Sequence, residues 1–179
     1  RLKEIFYIEH MDKNHKLLFH GAKSRIEGKL DIHKSRTNND LGQGFYTGER
    51  YEQAILFISG FEKSSVYIFD FKEEGLKGKK YNVNQEWMMT IAYYRGALEE
   101  YENHPIIKKL IEKSCDCDYI IAPIADNRMF QIINSFIMGE ITDEQCKHCL
   151  AATNLGYQYV FKSDKAIKSL KMLERCYIS

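Results

Sequence analysis

Apolar and polar positions alternate along this chain in short blocks, with no single dominant period. Leu17, Leu18 and Phe19 form an apolar run that ends at His20-Gly21. A polar stretch with three glycines, residues 22–44, follows, so the pattern predicts a strand and then a long loop. From Arg50 to Gly60, Ala54, Phe57 and Ile58 recur at helical spacing and a glycine closes the segment, as in an amphipathic helix. Residues 65–71, SVYIFDF, are β-branched and aromatic and predict a strand. Asn84 is placed to cap a helix running to Tyr101, with Trp87, Ile91, Tyr94 and Leu98 on one face. Pro105 permits a helix over 106–113, and DYIIAPI, 118–124, reads as a short strand whose proline marks an edge or an end. Helices over 129–138 and from the capping box Thr142-x-x-Gln145 to Leu150 come next. Tyr157 to Phe161 is a last strand before a lysine-rich helix, 165–173. Strands and helices mix without regular alternation, which predicts an α+β fold rather than a doubly wound parallel sheet.

The 179 residues are 44% hydrophobic and 13% aromatic, enough for one sizeable core, and the chain reads as one domain, 1–179, with 1–16 an N-terminal extension open to continuation upstream of Arg1. Lys and Arg number 26 against 25 Asp and Glu, so no overall basic field recruits nucleic acid or membrane. No apolar run approaches the roughly 20 residues that span a bilayer, and the start lacks the features of a signal peptide. The expected location is the cytoplasm, with no membrane partner. The five cysteines occur as Cys115-x-Cys117, Cys146-x-x-Cys149 and Cys176. Reduced thiols and no metal are the expectation, since the C-x-C pair is tighter than common zinc-ligand spacing.

Candidate chemistry gathers in two places. Gly42-Gln43-Gly44-Phe45-Tyr46-Thr47 leaves a loop with two glycines and two aromatics, which allows close approach of the backbone beside an aromatic face. The plainer alternative is a glycine turn entering a strand. His20-Gly21, at the end of the earlier strand, offers an imidazole to a hydroxyl and bare backbone to an amide.

Leu18-Phe19-His20-Gly21 followed by Gly42-Gln43-Gly44-Phe45-Tyr46-Thr47, with Ala54 eight positions on, resembles the first two motifs of the histidine–tyrosine class of ADP-ribosyltransferases, which includes diphtheria toxin and the poly(ADP-ribose) polymerases. The resemblance implies an α+β split-sheet core with flanking helices, NAD⁺ as co-substrate, His20 on the adenine-side ribose, the Gly21 backbone on the nicotinamide amide and Tyr46 stacked on the nicotinamide ring. Phe57 takes the position of the second stacking aromatic, and Gly44 belongs to the same pocket. From His20 to Leu170 the chain is also similar to an uncharacterised bacterial family of that superfamily often encoded near toxin–antitoxin genes, through LFHGA, DLGQGFYTG, EWMMTIAYYR, DYIIAPIADNRMF and YQYVFKSDKAI. This implies ADP-ribose transfer to an intracellular protein or nucleic acid, and an antitoxin protein as a partner.

The third motif departs from the class. A strand shaped like residues 157–161 carries a catalytic glutamate in the polymerases, where this chain has Gln158. Loss of nicotinamide builds positive charge on the ribose, which a carboxylate stabilises and a glutamine does not. Asp126, in a loop after a strand, is the leading substitute, with helix capping as its plainer role. Asp40 and Glu140 are weaker candidates. Arg25 and Arg36 are placed to clamp a pyrophosphate, and Arg95 either reaches a ligand or complements a helix dipole. The alternatives to transfer are NAD⁺ hydrolysis and a catalytically silent module that binds NAD⁺ or ADP-ribose.

Overall fold

The computed structural model describes residues 5–8, 11, 14–152 and 154–177, so part of the expected extension over 1–16 lies outside the described residues. Seven strands form one mixed sheet: β1 (His15–Ala22), β2 (Phe45–Gly48), β3 (Ser65–Lys72), β4 (Gly78–Lys80), β5 (Tyr119–Pro123), β6 (Tyr157–Phe161) and β7 (Leu170–Tyr177). Their order is β4-β5-β6-β2-β1-β3-β7. Only β4 and β5 pair in parallel; the other neighbours are antiparallel. The fold is α+β.

Strands β1 and β3 read as nearly continuous apolar runs because both faces of the sheet are covered. Alternate side chains of β3 go to opposite sides: Tyr67, Phe69 and Phe71 join Leu18, Tyr159 and Phe161 in one cluster, and Val66 and Ile68 join Leu17 and Phe19 in another. The first is covered by the loop residues Ile26, Leu30 and Ile32. The second is covered by helix α1 (Tyr51–Ile58), through Ala54 and Ile58. A third cluster lies between Ile120, Ala122 and Val160 of the sheet and Trp87, Met88 and Ile91 of helix α2 (Gln85–Tyr94).

The contact between β1 and β2 divides the sheet. β1 is registered to β3 along its whole length, from His15↔Lys72 to Ala22↔Ser65, and β2 to β6 from Phe45↔Phe161 to Gly48↔Gln158. β1 and β2 share one pair, Phe19↔Gly48. Beyond it, toward His20 and Tyr46, no further ladder pair joins the two strands among the described residues, which leaves a seam in the hydrogen-bond ladder.

Local capping explains most helix boundaries. The Asn84 side chain accepts from the Trp87 N–H, and Thr142 and Gln145 cap each other's backbone at the start of α5 (Asp143–Ala151). Helix α3 (Pro105–Cys115) takes its proline in the first turn, where the missing N–H costs nothing. Two expectations need correction. The helix begun at Asn84 stops at Tyr94 rather than Tyr101: Gly96 adopts φ 87°, its N–H bonds Tyr93 O at 3.0 Å, and Ala97 N–H bonds Ala92 O at 2.8 Å, which closes the helix as a Schellman motif. Residues 99–101 form only a 3₁₀ turn. The lysine-rich segment is not a helix over 165–173. A four-residue helix, α6 (Asp164–Ile167), capped by Ser163, hands over to β7, which pairs with β3 from Phe71↔Leu170 to Ser65↔Tyr177. The open edge of β3 needs a partner, and pairing along eight residues outweighs the small helical preference of lysines. Strand β4, Gly-Lys-Lys, carries no apolar signal at all and exists through its backbone pairing with β5.

Candidate functional site

His20 stands on β1 at the opening of the seam, half-buried, with its ring stacked on Phe45 at a centroid distance of 4.2 Å and 26° between planes. Its Nδ1 is 2.6 Å from the Tyr46 carbonyl oxygen. A carbonyl only accepts, so Nδ1 carries the proton. Burial lowers the imidazole pKa below its ordinary value, against an opposing pull from that hydrogen bond. The ring is therefore neutral near pH 7, and Nε2 is an acceptor with a fixed direction.

Tyr46 and the glycine-rich loop form one hydrogen-bonded unit. The Tyr46 hydroxyl donates to Gly42 O at 2.6 Å and accepts from Leu41 N–H at 3.0 Å, and burial pushes its pKa up so that the proton stays on. Arg95 Nε lies 2.6 Å from Asp40 Oδ1, with both side chains under one-fifth exposed, and its Nη2 donates to Ala125 O at 2.9 Å. Lys162 Nζ donates to Leu41 O at 2.7 Å. Gln43 Nε2 donates to His33 O and Ser35 O, and Ser35 Oγ accepts from Gly44 N–H at 2.9 Å. Five side chains thus hold this loop in one conformation.

The glycines serve this packing. A Cβ on Gly21 would collide with Ala54 O, one on Gly42, at φ 79°, would sit 2.7 Å from the Tyr94 ring, and one on Gly44 would sit 2.8 Å from Phe161 O. The close backbone approach expected from Gly21 and Gly44 is thus met by α1 and β6 of the protein itself.

The remaining candidates do not all converge. Strand register places Gln158 opposite Gly48 and Ala122, and therefore on the same face as Tyr46, whose partner is Val160. His20, one residue beyond Phe19, points to the other face with Phe45. The two sides meet across the seam through the Tyr46 carbonyl. Gln158 is buried and its Nε2 lies 3.3 Å from Pro123 O. Phe57 is 64% exposed on the outer side of α1, with Lys23 Nζ 5.4 Å from its ring centroid, so the helical spacing that grouped it with Ala54 and Ile58 does not bury it. Arg25, Arg36 and Glu140 are exposed. Asp40 is engaged by Arg95.

Asp126 is exposed and caps helix α4 (Asn127–Ile137), its Oδ1 accepting from Met129 N–H at 2.8 Å. That bond is the capping role the sequence allows for this residue. Asn caps as well as Asp, so Asp126→Asn should leave stability within a few tenths of a kcal/mol, whereas Asp126→Ala should cost about 1 kcal/mol by urea denaturation. Equal losses in both variants would show that the carboxylate charge, not the cap, matters.

Cys115, Cys117, Cys146 and Cys149 are free thiols. Cys146 is buried against Met88, Sγ to Sδ 3.2 Å, and burial pushes the pKa values of Cys146 and Cys117 up to about 11. Among the described residues no group of three His, Cys, Asp or Glu is arranged to hold a metal, and no helix is long and apolar enough to cross a membrane.

The architecture is that of an α+β domain with a sheet opened beside a neutral histidine and a clamped glycine-rich loop. The chain belongs to the family described as "Protein of unknown function (DUF3990)", whose model matches residues 17–172, from the start of the β1 apolar run to the first turns of β7. No curated protein and no solved structure matches it.

Proposed function

We propose that this chain binds NAD⁺ at the β1–β2 seam and transfers its ADP-ribose to a macromolecule. The observation that carries the reading is the His20–Tyr46 pair: the imidazole proton is committed to the Tyr46 carbonyl, so Nε2 is free to accept from a ribose hydroxyl. The Tyr46 ring, on the other face of the sheet by register, is locked by Leu41 and Gly42, so its position at the seam does not have to be fixed on binding. In the transfer, a nucleophile on the acceptor bonds to the anomeric carbon as the bond to nicotinamide breaks. The bonding pair leaves with nicotinamide, which becomes neutral, and the acceptor gives up a proton.

One observation favours a second reading, a module that binds NAD⁺ or ADP-ribose without turning it over. Gln158 is bonded to Pro123 O, Asp126 to its helix and Asp40 to Arg95, so none of the three presents an unpaired carboxylate to stabilise the developing charge. Incubation with NAD⁺ labelled in the adenylate half, in a cell lysate, separates the two. Free nicotinamide with label on protease- or nuclease-sensitive material is expected from the transferase. Saturable NAD⁺ binding with no nicotinamide released would establish the module.

A further inference from the structure

The chain as a whole is almost neutral, at +1, but its charge is unevenly placed. Residues 23–36 and 164–171 carry eight cationic side chains, Lys23, Arg25, Lys29, Lys34, Arg36, Lys165, Lys168 and Lys171, against Glu27, Asp31 and Asp164, so the rest of the chain is net acidic. All eight cations are exposed. The two segments are distant in sequence but meet one apolar cluster: Ile26, Leu30 and Ile32 of the loop pack on it, as do Ala166, Ile167 and Leu170. A groove of about 380 Å³ beside Lys168 and Lys171 is mixed in charge, since His15, Asp70, Lys72, Glu74 and Ser169 also line it.

The surface is held in place. Ile26 N–H bonds Tyr67 Oη at 2.9 Å, Asp31 caps the turn at His33, and Gln43 bonds two carbonyls of the loop. At one end of it Lys23 Nζ lies 4.4 Å from the ring centroid of Phe61 and 5.4 Å from that of Phe57, and the two rings are 46% and 64% exposed. Exposed cations on a held loop, with Lys23 beside two exposed aromatic rings, suit a strand whose phosphates lie on the former while unpaired bases stack on the latter. A duplex hides its base faces and an acidic peptide has none.

We infer that this face binds single-stranded nucleic acid. Its service as the acceptor rests on the function proposed above; the binding does not. The test is fluorescence anisotropy with a labelled 20-nucleotide RNA of mixed sequence, over 25–200 mM salt. The logarithm of the affinity should fall against the logarithm of salt with a slope between about −3 and −5, for about five to seven phosphates neutralised. Lys29→Glu/Lys34→Glu and Lys165→Glu/Lys168→Glu should each weaken binding tenfold or more and flatten the slope. Phe61→Ala should weaken it severalfold and leave the slope unchanged. NAD⁺ affinity, measured on the same preparations, should not move in any of them, which separates this surface from the NAD⁺ site and reports on folding. Absence of RNA binding at 25 mM salt, or binding indifferent to both charge reversals, would overturn the inference. So would displacement of the RNA by poly-glutamate with no dependence on Phe61, or preference for phosphatidylserine vesicles over RNA.

Discussion

Arg95→Ala should destabilise the protein by about 3–5 kcal/mol, the largest single loss expected at the candidate site. The guanidinium is the only cation bonded to Asp40 among the described residues, at 2.6 Å, and the pair is mostly out of solvent. The same side chain donates to Ala125 O and lies 4.8 Å from the Phe130 ring centroid. Removing it leaves a carboxylate in a desolvated place and detaches the glycine-rich loop from the start of α4. Burial already raises the Asp40 pKa above its ordinary value, and Arg95 opposes that rise. With Arg95 gone the folded-state value climbs further above the unfolded one. A raised carboxylate pKa costs stability above the folded value and nothing below the unfolded value. The deficit of the variant should therefore be larger at pH 7 than at pH 4.5 and shrink as the pH falls toward 4. Asp40→Asn in the Arg95→Ala background should recover part of it. Urea denaturation of wild type, Arg95→Ala, Asp40→Asn and the double variant at pH 7 and pH 4.5 checks this; a deficit independent of pH and not relieved by the second substitution would mean that the ion pair is incidental.

For His20→Ala the expected result is a tenfold or greater loss of NAD⁺ affinity, the worth of one well-formed hydrogen bond in a partly buried site, with Tyr46→Ala losing at least as much through its stacking face. The pH dependence is sharper evidence than the size. His20 is neutral in the fold because burial depresses its pKa, so affinity should be flat from pH 8 to 6.5 and fall only below that, when a proton on Nε2 turns the acceptor into a donor. By the same linkage, the stability contributed by the depressed pKa is present above the unfolded value near 6.5 and lost as the pH falls through the folded one. Calorimetry with wild type and His20→Ala at three pH values decides the matter. Identical affinities, or a transition in the wild type above pH 7, would remove His20 from the site.

Much of this could be read locally. The caps at Asn84 and Thr142 and the glycine-rich turn are visible in the sequence because the interactions that make them lie within a few residues of one another, and the apolar runs of β1, β3, β5 and β6 because burial shows in the composition of a short segment. Asp126 is instructive, since its capping geometry is equally local and was legible as the plainer alternative, while a catalytic role depends on where the end of β5 stands relative to the seam. Arg95 and Asp40 are 55 positions apart, and no spacing rule pairs them. The helical period of α1 groups Phe57 with Ala54 and Ile58, but which side of the helix meets the sheet is decided by the contact of α1 with Gly21, and that contact leaves Phe57 in solvent. Likewise the lysines after Ser163 carry a helical spacing that holds for one turn; the free edge of β3 then takes the chain as β7. Sequence alone determined the elements whose hydrogen bonds close within a turn. Tertiary structure decided the seam, the opposite facing of His20 and Gln158, and the basic face, because each depends on which strand edges and which apolar surfaces meet, and those are properties of the assembled sheet.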